Sequence, residues 1–289
     1  MSRIVVVGDV MVDVVVRLSG PLARASDAPS EIRFRGGGSA ANTAAWLAEA
    51  GAEVALVARV GDDERGRSAV RELRAGGVDA RVALDPERST GTCLVLIEPG
   101  GERTMAPDAG ANDGLAASDF PGELVTQGAH LHVAGYALLR EGSRTAAREA
   151  IESAVGVGMT VSVDPSSSAL LGPEFLDRAA GAGLLMPNAS EAHALTGEGD
   201  PEAAARALAE RFGEVVVTLG PDGALWTDGD AVLRAAAVKV EAVQDSTGAG
   251  DAFAAGFLHA RTSGGSTAEA LAAGCELAAR AVMRPGARP

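Results

Sequence analysis

Lysine is nearly missing from this chain of 289 residues: Lys239 is the only one, and Val240 follows it. A P-loop needs a lysine directly ahead of Ser or Thr at the end of its glycine run, so that way of holding nucleotide phosphates is closed. Any phosphate must be held by backbone amides, arginines or a metal ion. Cations are in deficit altogether, with a formal net charge of −14. Nucleic acid and anionic membrane are therefore not expected as partners, because counterion release needs clustered positive charge. Cysteine is scarce too. Cys93 and Cys275 form no C-x-x-C pair, which fits a reducing compartment and speaks against a zinc cluster. Long apolar runs are missing: Ile4-Val5-Val6-Val7 stops at Gly8-Asp9, too short for a signal segment or a membrane span, so a cytoplasmic protein is expected.

What is present is apolar residue content of 47%, enough to fill a sizeable core, over a length that suits one large α/β domain, taken here as 1–289. The β-branched run at Ile4–Val7 has the pattern of a strand buried on both faces in a parallel sheet. Helices are expected over 39–50, 65–75, 143–155, 201–212, 249–260 and 267–282, with strands over 54–60, 78–84, 131–134, 159–163 and 215–219. This alternation predicts a three-layer α/β/α domain around a central, mostly parallel sheet, with ligands at the carboxyl ends of its strands. Asp9, Gly135, Asp164, Asn188 and Gly220 each follow a predicted strand and are expected to converge on one cleft. Met11–Leu18 and Glu31–Arg35 read instead as strands with one wet face. With a hairpin of 91–97 and 103–106 across Pro99-Gly100-Gly101, they are assigned to an antiparallel flap, so that lid strands fall at about 10–35 and 91–107.

The chemistry gathers on Asp245-Ser246-Thr247-Gly248-Ala249-Gly250-Asp251, which runs straight into an alanine-rich helix. Small residues there let successive backbone N–H groups turn inward at a helix N-terminus, which makes an anion site. An aspartate in such a site repels phosphate. Its simplest account is a general base aimed at a hydroxyl beside a transferable phosphoryl group, and the bland alternative is a helix cap. The helix dipole is expected to keep Asp251 ionised at neutral pH. Asn188 and Glu191 lie three apart, a spacing that serves a capping box as well as a metal-organising pair. Gly36-Gly37-Gly38-Ser39-Ala40-Ala41 satisfies a loose dinucleotide pattern, but no buried strand precedes it and the next strand reads through to Arg59, so NAD is discounted. His130 and His132 face one way on a strand and, without a third ligand nearby, are assigned no role.

Four motifs in order carry a resemblance: Gly36-Gly37-Gly38-Ser39-Ala40-Ala41-Asn42, Asn188-Ala189-Ser190-Glu191, Thr218-Leu219-Gly220-Pro221-Asp222-Gly223 and the Asp245–Asp251 loop. From Val5 to about Gly286 the chain resembles the ribokinase-like (PfkB) carbohydrate kinase family. That likeness implies a ribokinase-like fold with a small β-sheet lid, and ATP-dependent phosphorylation of a hydroxymethyl group of a small sugar. It implies Asp251 as the base, and the amides of Gly248, Ala249 and Gly250 as the anion hole. The sugar would be held by Asp13, Gly37, Gly38, Asn42 and Asp251, with Gly135, Tyr136 and Arg140 beside it. The nucleotide would meet Asn188, Thr218, Gly220, Gly223, Gly248 and Gly250. Mg2+ would be organised by Glu191 through water, and K+ by Asp245 with carbonyls from 280–286. Ser39 stands where many relatives carry lysine, which clouds the sugar's identity. Exposed flap strands imply a homodimer. A nucleoside kinase of the same fold is the nearest rival; the aromatic content of 3%, with only Phe34 in the flap, favours a sugar over a stacked base. A non-catalytic nucleotide or sugar sensor is the rival from another class.

Overall fold

The structure, a computed structural model, describes residues 2–23 and 25–289. In chain order its elements are β1 (Ile4–Val7), β2 (Met11–Leu18), β3 (Ser30–Gly37), α1 (Ser39–Glu49), β4 (Val54–Gly61), α2 (Glu64–Ala75), β5 (Asp79–Asp85), β6 (Thr92–Ile97) and β7 (Arg103–Asp108). The middle of the chain gives β8 (His130–Ala134), α3 (Tyr136–Leu139), α4 (Glu141–Gly156), β9 (Thr160–Asp164), α5 (Glu174–Arg178) and β10 (Leu184–Leu185). There follow α6 (Ala189–Thr196), α7 (Pro201–Phe212), β11 (Glu214–Thr218), β12 (Ala224–Thr227), β13 (Val232–Ala235), α8 (Ala249–Thr262) and α9 (Thr267–Val282).

Nine strands form the main sheet in the order β13-β12-β11-β10-β9-β8-β1-β4-β5. The run from β11 to β5 is parallel, and only β12 and β13 are antiparallel. In β1, Ile4 and Val6 pack into one apolar layer with α1 and α8, whereas Val5 and Val7 pack into the other with α4 and α7. Covering both faces is what makes the strand read as an unbroken apolar run. The result is the expected three-layer α/β/α arrangement. The β12–β13 hairpin escapes the sequence reading because four-residue strands are too short to show a period. Helix boundaries are sharp where caps are written into the sequence. Asp200 accepts from the Ala203 N–H ahead of Pro201, and Ser266 forms a reciprocal box with Glu269; each such cap contributes about 1 kcal/mol.

The lid is a separate four-stranded sheet in the order β3-β2-β6-β7. It is mixed, not antiparallel throughout as expected: β2 pairs with β6 in parallel, flanked by the antiparallel pairs β2–β3 and β6–β7. The reason lies in the main sheet. β2 leaves the carboxyl end of β1 and β6 follows the carboxyl end of β5, two parallel strands, so both lid strands run outward in one direction. Among the described residues no helix is long and apolar enough to cross a membrane.

Candidate active site

Two helix starts face each other at the carboxyl ends of the central strands. Helix α1 starts after Gly38, whose φ of 94° and close approach to the Asp9 carbonyl and the Met11 amide leave no room for a Cβ. Helix α8 starts after Gly248, at φ 77° and packed on the backbone of Ala287. Asp251 is the third residue of α8, and its carboxylate crosses to α1. Ser39 Oγ donates to Asp251 Oδ1 at 2.7 Å, and Asn42 Nδ2 donates to Oδ2 at 2.9 Å. Ser39 and Asn42 are three residues apart in α1 and so share a face.

Asp251 opens into a cavity of about 370 Å³ that Asp9, Asp13, Asp164 and Glu191 also line, giving five carboxylates around one space. Of the residues singled out from sequence, Asp13, Gly38, Asn42, Tyr136, Arg140, Asn188, Glu191, Thr218, Gly248, Gly250 and Asp251 form its wall. Arg140 lies 5.2 Å over the Tyr136 ring. The lid contributes Cys93, Met105 and Pro107. Gly37, Ala249, Gly220 and Gly223 are not in the wall, and Asp245 lines a neighbouring cavity instead. The expected convergence of five post-strand residues is met by Asp9, Asp164 and Asn188 but not by Gly135 or Gly220; Gly135 sits behind, its N–H donating to the Asp164 carbonyl at 2.7 Å.

Burial decides the electrostatics. It pushes Asp251 up to about 7, against the Asn42 hydrogen bond that lowers it and with the nearby Asp164 charge that raises it. The expectation that the helix dipole keeps this carboxylate ionised is corrected here: desolvation under the lid outweighs the dipole. Asp13 is raised to about 6, chiefly by burial, with Arg288 opposing. Burial also raises Asp164 and Glu191, and the Glu191 charge adds to the shift at Asp164.

Glu191 and Asp251 hold the same position in their helices and do different things. Asn188 Oδ1 accepts from the Glu191 N–H and Glu191 Oε2 from the Asn188 N–H, both at 2.9 Å, so the capping box is real. Glu191 Oε1 makes no hydrogen bond among the described residues, and Glu191 lines the cavity. Among the described residues no three acidic, histidine or cysteine side chains are grouped to hold a metal directly. A hydrated magnesium ion fits nonetheless, because it keeps most of its waters and would relieve the mutual repulsion of Asp164 and Glu191. A monovalent cation at Asp245 fits poorly. That carboxylate accepts from the Thr247 and Gly286 N–H groups, and the lid residue Arg103 lies 2.8 Å from its Oδ1 while donating to Thr247 Oγ1 at 2.6 Å.

Sequence reasoning missed Arg288. The indole N–H of the fully buried Trp46 donates to the Ala287 carbonyl at 2.9 Å, and this pins the chain so that Arg288 enters behind the glycine run. Its side chain is 8% exposed; Nε donates to Asn42 Oδ1 at 3.2 Å and Nη2 to the Gly37 carbonyl at 2.6 Å. With its oxygen so engaged, the Asn42 amide can present only its NH2 to Asp251. Nothing in a terminal Pro-Gly-Ala-Arg-Pro announces this role.

A profile of the pfkB family carbohydrate kinases matches residues 1–289. The chain belongs to that family. It is 32% identical over 294 aligned positions to the ATP-dependent ribose-1-phosphate kinase of Halopiger xanaduensis, covering 100% of this chain and 94% of that one. Among solved structures, this pfkB-family chain is similar to the adenosine kinase of Sinorhizobium meliloti, with TM-score 0.91, 28% identity and coverage of 100% and 96%. The fructokinase of Vibrio cholerae O395, solved with fructose, ADP and calcium, superposes with TM-score 0.85 at 28% identity, covering 99% and 94%.

Proposed function

We propose that this pfkB-family kinase transfers the γ-phosphoryl group of ATP to a hydroxymethyl group of a small sugar. The observation that carries the reading is the Asp251 carboxylate. It is held by Ser39 and Asn42 in a cavity with the Gly248–Gly250 turn beside it and Asp13 across from it. Asp251 takes the proton of the hydroxymethyl O–H as that oxygen bonds to the γ-phosphorus and the bond from phosphorus to the ADP oxygen breaks. The amides of Gly248, Ala249 and Gly250 steady the charge on the transferring group, and Asp13, with Asn42, accepts from and donates to the sugar hydroxyls. Magnesium, held through water near Asp164 and Glu191, would neutralise phosphate charge. Met105 and Pro107 line the cavity from the lid, and on closing over a bound sugar they would keep water from the phosphoryl group, which limits loss of ATP to hydrolysis.

One observation bears on the nucleoside alternative. The lid's aromatic residue, Phe34, lies on the outer face, 60% exposed, with Arg65 5.7 Å above its ring, and so offers no stacking surface to the cavity. Ile32 and Leu94 share that outer face, 58% and 39% exposed, which supports pairing of two lids in a homodimer. Cys93 and Cys275 are both buried free thiols, in keeping with a cytoplasmic setting. The test is ADP release with ATP, magnesium and a panel of pentoses, hexoses, sugar acids, sugar phosphates and nucleosides. Release with one or more of the sugar acceptors is expected. Release with nucleosides alone would move the assignment to the rival, and no release with any acceptor would sink it.

A further inference from the structure

Next to the sugar cavity lies a second one of about 240 Å³, sharing Asp13, Met105 and Thr247 with it. Strand pairing in the lid sets Arg35 opposite Asp13, Arg33 opposite Val15 and Glu31 opposite Arg17, so three arginines stand on the same face as the sugar-side aspartate. Arg103 joins them from β7, through Ile97, which pairs with both Arg17 and Arg103. All four line the second cavity. Two are committed: Arg33 pairs with Glu31, and Arg103 with Asp245. Arg17 and Arg35 make no ion pair or side-chain hydrogen bond among the described residues. Two uncommitted guanidinium groups, both on exposed residues, thus line one hollow beside the sugar cavity.

Same-face residues on a strand stand about 7 Å apart, so Arg35 lies straight across from Asp13 and Arg17 two steps, about 14 Å, along β2, and a group reached by both long side chains sits between them, about one sugar length from Asp13. A sugar whose hydroxymethyl group points at Asp251 and whose ring hydroxyls meet Asp13 therefore directs its opposite end at these arginines. Guanidinium forks match phosphate and carboxylate oxygens in pairs, and they gain nothing from a neutral hydroxyl. We infer that the acceptor is an anionic sugar, a phosphate ester or a sugar acid, whose charged group is held by Arg17 and Arg35 at the far end of the cavity. This rests on the kinase reading for the orientation of the sugar, but its binding step can be measured without turnover.

The experiment is titration calorimetry on the intact protein with D-ribose, D-ribose 1-phosphate and 2-keto-3-deoxygluconate, followed by the ADP-release assay with each. Ribose 1-phosphate or the acid is expected to bind at least about tenfold more tightly than ribose, the size of one charge-assisted hydrogen bond. Which of the two anions gains most identifies the group. The Arg17→Gln/Arg35→Gln double variant is expected to erase the preference and leave ribose binding unchanged, while Arg17→Lys/Arg35→Lys keeps most of it. Ribose binding as tightly as either anion, or a double Gln variant that retains the preference, overturns the inference and leaves the kinase reading standing. An anion that binds tightly through these arginines yet releases no ADP supports the site and counts against the kinase reading instead.

Discussion

Two buried clusters of titratable groups share the central sheet, one near the amino ends of β8 and β9 and the other at the carboxyl ends. In the first, the Ser162 hydroxyl lies between two imidazoles, 2.7 Å from His130 Nε2 and 2.8 Å from His132 Nδ1, and Thr160 Oγ1 lies 2.8 Å from His130 Nδ1. Burial lowers the two rings to about 3 and about 4, so both are neutral at physiological pH. In the second, Asp13, Asp164, Glu191 and Asp251 are all shifted up, and their remaining lone pairs face a cavity. Both clusters are desolvated. The difference is that the histidines find partners inside the protein, whereas the carboxylates leave part of their bonding capacity for something that enters. A buried ionisable group becomes chemically useful when its neighbours do not complete it.

Replacing Asp251 by Asn sharpens that contrast most. Loss of the base is expected to lower kcat by roughly two to four decades. Stability is expected to move the other way, with a definite sign. The folded protein holds Asp251 at about 7 against an ordinary 3.8, so the cost of its charge is absent below about pH 4 and complete above about pH 7. The melting temperature of the variant is therefore expected to exceed that of the wild type by a margin of a few degrees that grows between about pH 4 and about pH 7. In the wild type the same shift makes kcat/KM fall as pH drops below about 7. Near-normal turnover in the variant breaks the comparison.

Arg288→Gln comes next, since it removes the cation that steadies the acidic cluster from behind. A reduction of kcat/KM by roughly tenfold to a hundredfold is expected from misplacement of Asn42. The acid limb of the pH profile is expected to shift upward, because the Arg288 charge acts on Asp251 as well as on Asp13 and favours their ionised forms. Partial rescue in Arg288→Lys separates positioning from mere packing, and an unmoved profile argues for packing alone. Glu191→Gln is expected to raise the magnesium concentration for half-maximal rate by about tenfold, the usual cost of an outer-shell partner. Unchanged metal dependence would reduce Glu191 to a helix cap.

The histidine cluster predicts a smaller effect confined to stability. Both imidazoles are neutral when folded and can charge when unfolded, so the stability they confer is present above about pH 6.5 and is lost as pH falls from there toward about 4 for His132 and about 3 for His130. The loss is bounded by about 1.4 kcal/mol per pH unit for each ring. Denaturant melts of the wild type and His130→Gln at several pH values read this directly. The variant is expected to flatten the slope and leave kcat unchanged, and a loss of kcat in a protein that is still folded would break the division between the clusters. Last and smallest, rates in sodium and potassium are expected to agree within about twofold, since Arg103 already supplies positive charge at Asp245.

Much of the fold was legible because local signals and burial agree. The apolar runs at Ile4–Val7 and Val54–Val60 could only be central strands, and capped helices such as Pro201–Phe212 declared both their ends. The site was legible in parts: Asp251, Asn42 and Asp13 do meet around one cavity. Arg288 and Arg103 were not legible, since an arginine in a terminal tail and another on a lid strand have the same sequence appearance as solvated surface residues. Nor was the charge on the lid. Arg17, Arg33, Arg35 and Arg103 are scattered over more than eighty residues and become neighbours only when β2, β3, β6 and β7 pair.

The sequence by itself determined the layers and the glycine turn ahead of α8, because hydrophobic period, caps and glycine turns act over a few residues and need no partner far away. The tertiary structure alone decided the protonation of Asp251, the orientation of Asn42 and the gathering of arginines beside the sugar cavity. Those depend on desolvation and on distances between residues remote in the chain, quantities that exist only once the lid lies over the sheet.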